Sequence, residues 1–335
     1  MDVLIVLFAA VLFWNCRYTE FNQDYLSIDN SCIIKGFCSL LIVIHHIAQR
    51  TNGGLLFPLF GYIGFLAVGM FYFYSGYGLM SQFQVRGNAY LRHFFTKRIW
   101  KVLLPYLIAN VVYLVIDFVS GVQYEWSELI RKILSGRIVP FSWFVISIIV
   151  VYIIFWVSCT VAGRGCEIMM IAIGITVYSL ICMKLETPPQ WYTTVYAFLF
   201  GNIYSRIRKP IERFFQTRYW MKLIFLLGSA LIFLLIAEIG TRPIYQMIFF
   251  NACVISFITL VLGITMKFAF RNRVLSFLGE NNYELYLYQG IFVSRIMIGE
   301  NFVYAVSTIA LLLLIVAAIR MIQKHLLPGG EKGKR

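Results

Sequence analysis

Between Ser27 and Arg50 an apolar run is interrupted at Ser31, Lys35, Ser39 and His46. At about 100° per residue, with Lys35 as zero, Ser31 falls at about −40°, Ser39 at about +40° and His46 at about +20°, so all four share one helical stripe. His45 falls at about −80° and faces elsewhere. Lys35 offers a cation for an anionic group. His46, about 16 Å further along the axis, offers an imidazole that can take a proton or attack as a nucleophile. Ionisable groups inside a membrane helix are costly and mark function by default. The serines count for less, because a hydroxyl bonds back to its own helix, so the stripe rests on Lys35 and His46. The plainer alternative gives His46 a hydrogen bond to a neighbouring helix and Lys35 a lipid phosphate. A metal site is disfavoured: adjacent helical residues diverge, and the other histidines are His93 and His325.

Such a stripe presumes a membrane. Of 335 residues, 60% are hydrophobic and 13% charged, and the mean hydropathy is +0.78, the composition of an integral membrane protein. A span with its connection uses about 30 residues, which leaves no room for a soluble catalytic domain. Apolar runs predict spans at Val3 to Trp14, Ile33 to Ala48, Leu55 to Leu79, Ile99 to Val119, Phe144 to Val161 and Ile168 to Met183. Others fall at Trp191 to Ile203, Leu223 to Ala237, Met247 to Phe268, Leu285 to Ile298 and Phe302 to Ile319. The first and seventh are short, so the expectation is an all-α polytopic membrane helix bundle of 10–11 transmembrane helices, a single domain over residues 1–335. The first apolar run has no basic flank before it and no small-residue cleavage site after it, so no signal peptide is expected in it. The seven cysteines lack metal or disulfide spacing and read as buried thiols.

A net charge of +14 raises nucleic acid as a partner, but the cations follow topology instead. With connections alternating between two sides, 22 of the 29 Lys and Arg residues fall on one of them. That side is expected to be cytoplasmic, with the N-terminus outside, the C-terminus inside and a basic cytoplasmic tail over residues 328–335. In the outer connection from Gly121 to Ser142, Trp126, Leu129, Ile130, Ile133 and Leu134 recur at helical spacing and predict a helix lying in the outer interface.

The run KGFCSLLIVIHH from Lys35 resembles the hallmark of the acyltransferase 3 family, a helix in which Arg is followed after ten residues by His. Lys replaces Arg here, keeping the charge but losing the planar fork. FYFYSGYGLM, from Phe71 to Met80, resembles the family's aromatic segment, and YLRHFFTKRIWKVLLPYL, from Tyr90 to Leu107, its cytoplasmic basic block. FLGENNYELYLYQG, from Phe277 to Gly290, is similar to its closing motif, with Asn282 in the Ser place and Gln289 in the His place. The likeness spans residues 30–322 and leaves residues 1–16 as an additional helix.

The resemblance implies a membrane O-acyltransferase of the cell envelope that moves an acyl group, commonly acetyl from cytosolic acetyl-CoA, to a hydroxyl of an extracytoplasmic or lipid-linked polysaccharide. It implies that Lys35, Arg98 and Lys101 hold the CoA phosphates at the inner rim and that His46 is catalytic, as base or as covalent carrier. The second span contains no carboxylate to orient His46, so Ser75, Asn110 and Tyr286 on other helices are the candidates, with Ser39 on the stripe. Gln289 cannot exchange a proton as a His would. No metal is implied. Trp126, Trp143, Trp191 and Tyr192 could stack on sugar rings or form an interfacial belt. Two rival readings are a transporter or flippase of a lipid-linked glycan, and a non-catalytic family member acting as an assembly partner.

Overall fold

A computed structural model describes residues 1–163 and 165–326; the basic tail at 328–335 lies outside the described residues. Among the described residues fourteen α-helices follow in order. They are α1 Asp2–Phe13, α2 Ile28–Ala48, α3 Gly64–Arg86, the single turn α4 Asn88–Leu91, α5 Trp100–Val119, α6 Trp126–Leu134 and α7 Trp143–Val161. Then come α8 Glu167–Lys184, α9 Tyr196–Gln216, α10 Tyr219–Ile239, α11 Pro243–Thr265, α12 Arg273–Glu280, α13 Asn282–Gly290 and α14 Asn301–Leu326. Two short strands, β1 Cys16–Tyr18 and β2 Phe268–Phe270, pair antiparallel with Arg17 opposite Ala269.

Among the described residues, seven helices are long and apolar enough to cross a membrane, including α2, the run Phe95–Val119, α7, α8, α10 and α11. The chain is an all-α, multi-pass membrane bundle. Helices α3 and α9 are also long, at 23 and 21 residues, but more polar. They tolerate that composition because they pack on each other inside the protein, where lipid does not demand an apolar surface. Glycines permit the contact: a Cβ on Gly76 would fall 2.1 Å from the Phe198 carbonyl, and one on Gly201 would fall 2.2 Å from that of Phe73.

The same device joins α2 to α12. A Cβ on Gly36 would meet the Leu275 carbonyl at 1.9 Å, and one on Gly279 the Cys32 carbonyl at 1.8 Å. The glycines beside Lys35 and Glu280 therefore set a backbone-to-backbone crossing at the Lys35 end of α2.

Two expected spans take a different form. Leu55 to Leu79 begins as a 3-10 helix, Phe57–Tyr62, before α3. Leu285 to Ile298 is broken: α13 stops at Gly290 and a π-turn, Ile291–Arg295, carries the chain out. Arg295 there pairs with buried Asp117 at 3.1 Å, and Tyr124 donates to the same carboxylate at 2.7 Å. Helix α6 forms where the sequence predicts it. Trp126, Ile130 and Leu134 are exposed while Leu129 and Ile133 pack inward, which gives the helix a face for the membrane interface.

Candidate active site

Helix α2 is the axis of the site. The stripe positions Ser39, Ile42 and His46 open onto two adjoining cavities. The larger, about 710 Å3, lies at the C-terminal end of α2. Among its walls are His45 and His46 from α2 and Gln49 at its C-cap, Ser135 to Arg137 and Phe141 from the connection after α6, and Trp143, Glu186 and Trp191. Its size is that of a small-molecule site, and it combines aromatic faces with a few charged groups.

The smaller cavity, about 30 Å3, is lined by Ser39, Phe71, Phe144, Asn282, Tyr283 and Gln289, and it shares Ile42, Val68 and Tyr286 with the chamber. It holds on the order of one or two water molecules, so it is a closed neck.

His46 is held on both sides. Its ring stacks on Phe141, with centroids 3.7 Å apart and planes at 17°. Its Nδ1 lies 3.3 Å from Gln49 Oε1. The Gln49 amide nitrogen reaches the Gly61 carbonyl at 3.3 Å and His45 Nε2 at 3.2 Å. A carbonyl only accepts, so the NH2 side of the amide must face Gly61, which turns Oε1 toward His46. His46 Nδ1 then carries the proton and donates it to Gln49. Its Nε2 keeps a lone pair and has no protein partner among the described residues. His45 Nε2 accepts from the Gln49 amide, which leaves the His45 proton on Nδ1 toward the Phe60 carbonyl, 3.0 Å away; the Gly64 N–H, 3.3 Å from that same Nδ1, then finds no lone pair there. These proton positions are assigned from this pattern of donors and acceptors.

The hydrogen bond on His46 Nδ1 is thus made with Gln49, the C-cap of α2, and not directly with Ser75, Asn110 or Tyr286. Ser75 accepts from Tyr152 at 3.3 Å. Asn110 donates to the Tyr106 carbonyl at 2.8 Å and leaves its Oδ1 unpaired. Tyr286 lines both cavities and donates to the Phe141 carbonyl, so it acts on His46 through the stacked ring. His45 does not face elsewhere: the 3-10 segment folds over the end of α2 and brings it into the chamber, its ring 4.8 Å from that of His46.

Further down the stripe, Ser39 bonds back to the Lys35 carbonyl at 2.9 Å. Lys35, one turn below the neck, is half-buried and makes no ion pair among the described residues. Gln289 is fully buried; its Nε2 donates to the Tyr286 carbonyl at 3.2 Å, and its Oε1 has no partner among the described residues. Arg98 is engaged with Tyr90, whose hydroxyl accepts from its Nε at 2.8 Å. Lys101 is exposed, and neighbouring Val102 accepts from Tyr283 of the neck at 2.7 Å. Of the four rim aromatics, Trp143 and Trp191 line the chamber with centroids 6.4 Å apart, Tyr192 is buried, and Trp126 sits outside on α6.

A half-buried cation at one end of α2, a narrow and mainly apolar neck, and an imidazole in the wall of a chamber at the other end suit group transfer between ligands arriving from two sides. The model of one family, the acyltransferase domain of the acyltransferase 3 family, matches residues 25–323. The chain belongs to that family. No curated protein and no solved structure matches it. As a member of the acyltransferase 3 family the chain is a membrane acyltransferase, and helix α1 lies outside the matched region.

Proposed function

We propose that this acyltransferase transfers acetyl from acetyl-CoA, supplied at the Lys35 end, to a hydroxyl of a glycan held in the chamber at the His46 end. The observation that carries the reading is His46 in the chamber wall, one helical turn from Ile42 at the junction with the neck, with its Nδ1 held by Gln49 and its Nε2 without a partner among the described residues. In this reading His46 is a general base. Nε2 takes the proton of the acceptor hydroxyl, the oxygen attacks the thioester carbonyl, and the C–S bond breaks. The imidazolium then returns the proton to the departing CoA sulfur, so the products are an O-acetyl ester and the free thiol.

The walls fit such a donor. Lys35 and Lys101 offer charge to phosphates, with Arg98 beside them. The unpaired Gln289 Oε1 offers an acceptor to an amide N–H, which the arm of CoA carries. The neck is closed at about 30 Å3, so it opens during the reaction to admit the acetyl thioester. On the other side, Trp143 and Trp191 offer faces for sugar rings, and Arg137 and Glu186 offer polar contacts.

The charge count supports the sidedness. The segments that build the chamber, near residues 49–64, 135–143 and 185–191, are those placed outside, and the Lys35 end lies with the cation-rich side. The chamber then faces away from the cytoplasm, at the cell surface.

The test uses purified protein in nanodiscs with [14C]acetyl-CoA and polysaccharide or lipid-linked glycan from the host. Label appearing as a base-labile ester on the glycan supports the reading. Absence of transfer with every acceptor, or acetyl trapped on His46 in place of direct transfer, contradicts it.

A further inference from the structure

We propose that helix α1, which lies outside the family domain, positions the His46 imidazole through a hydrogen-bonded relay that begins at Asp2 and passes through Phe60, His45 and Gln49. This rests on the reading of His46 as the base. The observations behind it are contacts that α1 makes at the chamber end of α2.

Asp2 opens α1, and its carboxylate accepts three backbone N–H groups from the α2–α3 connection. Oδ2 takes Leu55 at 2.7 Å, and Oδ1 takes Leu56 at 3.1 Å and Phe57 at 2.9 Å. These are the otherwise unpaired donors at the start of the 3-10 helix Phe57–Tyr62, so Asp2 caps that helix from a different part of the chain. Gly54 lets the carboxylate approach: its φ is +82°, and a Cβ there would lie 2.4 Å from Asp2 Oδ1. Two turns along α1, Phe8 packs edge-on against Phe60 at 6.2 Å and stacks on Phe37 of α2 at 5.0 Å.

Helix α1 therefore grips the capped segment at its start and at Phe60. The Phe60 and Gly61 carbonyls are the two fixed acceptors from which the proton positions follow. Phe60 takes the Nδ1 proton of His45, and Gly61 fixes which way the Gln49 amide points. That amide presents its oxygen to His46 Nδ1 and leaves Nε2 free. If the 3-10 segment shifts, the Gln49 amide loses its reason to point one way, and His46 can carry its proton on Nε2, the form with no lone pair left at that nitrogen to take the acceptor's proton. Asp2, His45 and Gln49 are positioning residues in this scheme, since none of them reaches the reacting atoms through the bonds described.

The experiment is 15N-histidine NMR on the full-length protein in nanodiscs, with the His46 resonance identified by its loss in His46→Gln, run beside acetyl-transfer kinetics. The wild type should show His46 neutral and protonated on Nδ1. Gln49→Leu and Asp2→Ala should shift it to a mixture of tautomers and lower kcat about 3- to 30-fold, with acceptor KM little changed. Gln49→Glu, which keeps an oxygen for His46 Nδ1, should retain that tautomer. Should Asp2→Ala fail to fold, Asp2→Asn, with one oxygen left for the cap, tests the same contact and should give the smaller of the two effects. Wild-type protein without transfer overturns the reading of His46 itself. An active wild type whose tautomer and kcat survive Gln49→Leu overturns the relay. Loss in Gln49→Leu with no change in either Asp2 variant overturns the part assigned to α1.

Discussion

The ring of His46 lies against that of Phe141 at 3.7 Å, and Phe141 has a left-handed backbone, with φ +66°. A non-glycine residue in that region costs about 1 kcal/mol, and tertiary contacts must hold it there. One is the hydrogen bond from Tyr286 to the Phe141 carbonyl. Another is the turn below it, where Ser142 Oγ donates to Gly136 at 3.0 Å. Tyr286, which with Ile42 and Val68 lines both chamber and neck, thus also holds the backbone of the residue stacked on His46.

Phe141→Gly should separate positioning from stability. Glycine relieves the left-handed backbone and offsets part of the lost packing, so the melting temperature should move by only a few degrees. The stacked face is gone, and kcat should fall about tenfold. An unchanged kcat would show that the stacking does not orient His46.

The glycine crossing of α2 and α12 predicts a structural failure. Gly36→Ala or Gly279→Ala puts a methyl group within 2 Å of a carbonyl oxygen on the facing helix. Neither backbone can yield without moving Lys35 or Asn282, so each variant should lose at least about 2 kcal/mol and most of its folded yield. Gly228→Ala, in α10, meets nothing within 4 Å and should fold normally. Detergent gel filtration and thermal unfolding distinguish these; normal unfolding of Gly36→Ala would refute the crossing.

The cations proposed to hold the donor should not be equivalent. Removing a hydrogen bond to a charged group costs about 1.5 to 3 kcal/mol, so Lys35→Ala and Lys101→Ala should raise the apparent acetyl-CoA KM by roughly 10- to 100-fold. Arg98 already donates to Tyr90, and Arg98→Ala should have the smallest effect on KM and the largest on stability. Lys35→Arg should keep activity, because the fork contacts phosphate at least as well. Titration of acetyl-CoA against the purified variants checks the order, and unchanged KM in all of them would remove the inner-rim site.

Orientation can be read at the two ends of α1. Asp2 sits with Leu55 to Phe57 at the chamber end of α2, while Cys16 pairs with Phe270, which lies near Ser27 to Ile33 at the other end. Helix α1 therefore runs antiparallel to α2 between the same two ends. Arg320 near the end of α14 meets Glu280 of α12, which packs on the Lys35 end. We predict that a cysteine at residue 2 is labelled by an impermeant maleimide in intact cells and that one at residue 333 is not. The opposite pattern would place the chamber in the cytoplasm.

Much of this was legible in the sequence because membrane physics writes on composition. Apolar runs give the bundle, spacing gives the stripe through Ser39 and His46, and the helical recurrence of Trp126, Leu129, Ile130, Ile133 and Leu134 gives α6. Gln49 is not legible, since it lies past the span, where the sequence gives no sign that the side chain folds back on His46. The angle of His45 was read correctly for a straight cylinder, but the 3-10 segment folds over the end of α2 and encloses both histidines. The break at Gly290 was hidden because the apolar run continues through it. A Cβ there would crowd Pro140 and the Tyr113 hydroxyl, and neither contact can be seen from Gly290's own neighbours in sequence.

The central claim is that the lone pair of His46 drives transfer of the acyl group. The direct measurement is single-turnover acetyl transfer in nanodiscs by wild type, His46→Ala and His46→Gln at matched folded protein, with acetyl-CoA binding measured separately. The account predicts transfer by the wild type, loss of at least about a thousandfold in both variants, and donor binding within a fewfold of wild type in all three. Transfer by His46→Ala at a rate near that of the wild type would contradict it.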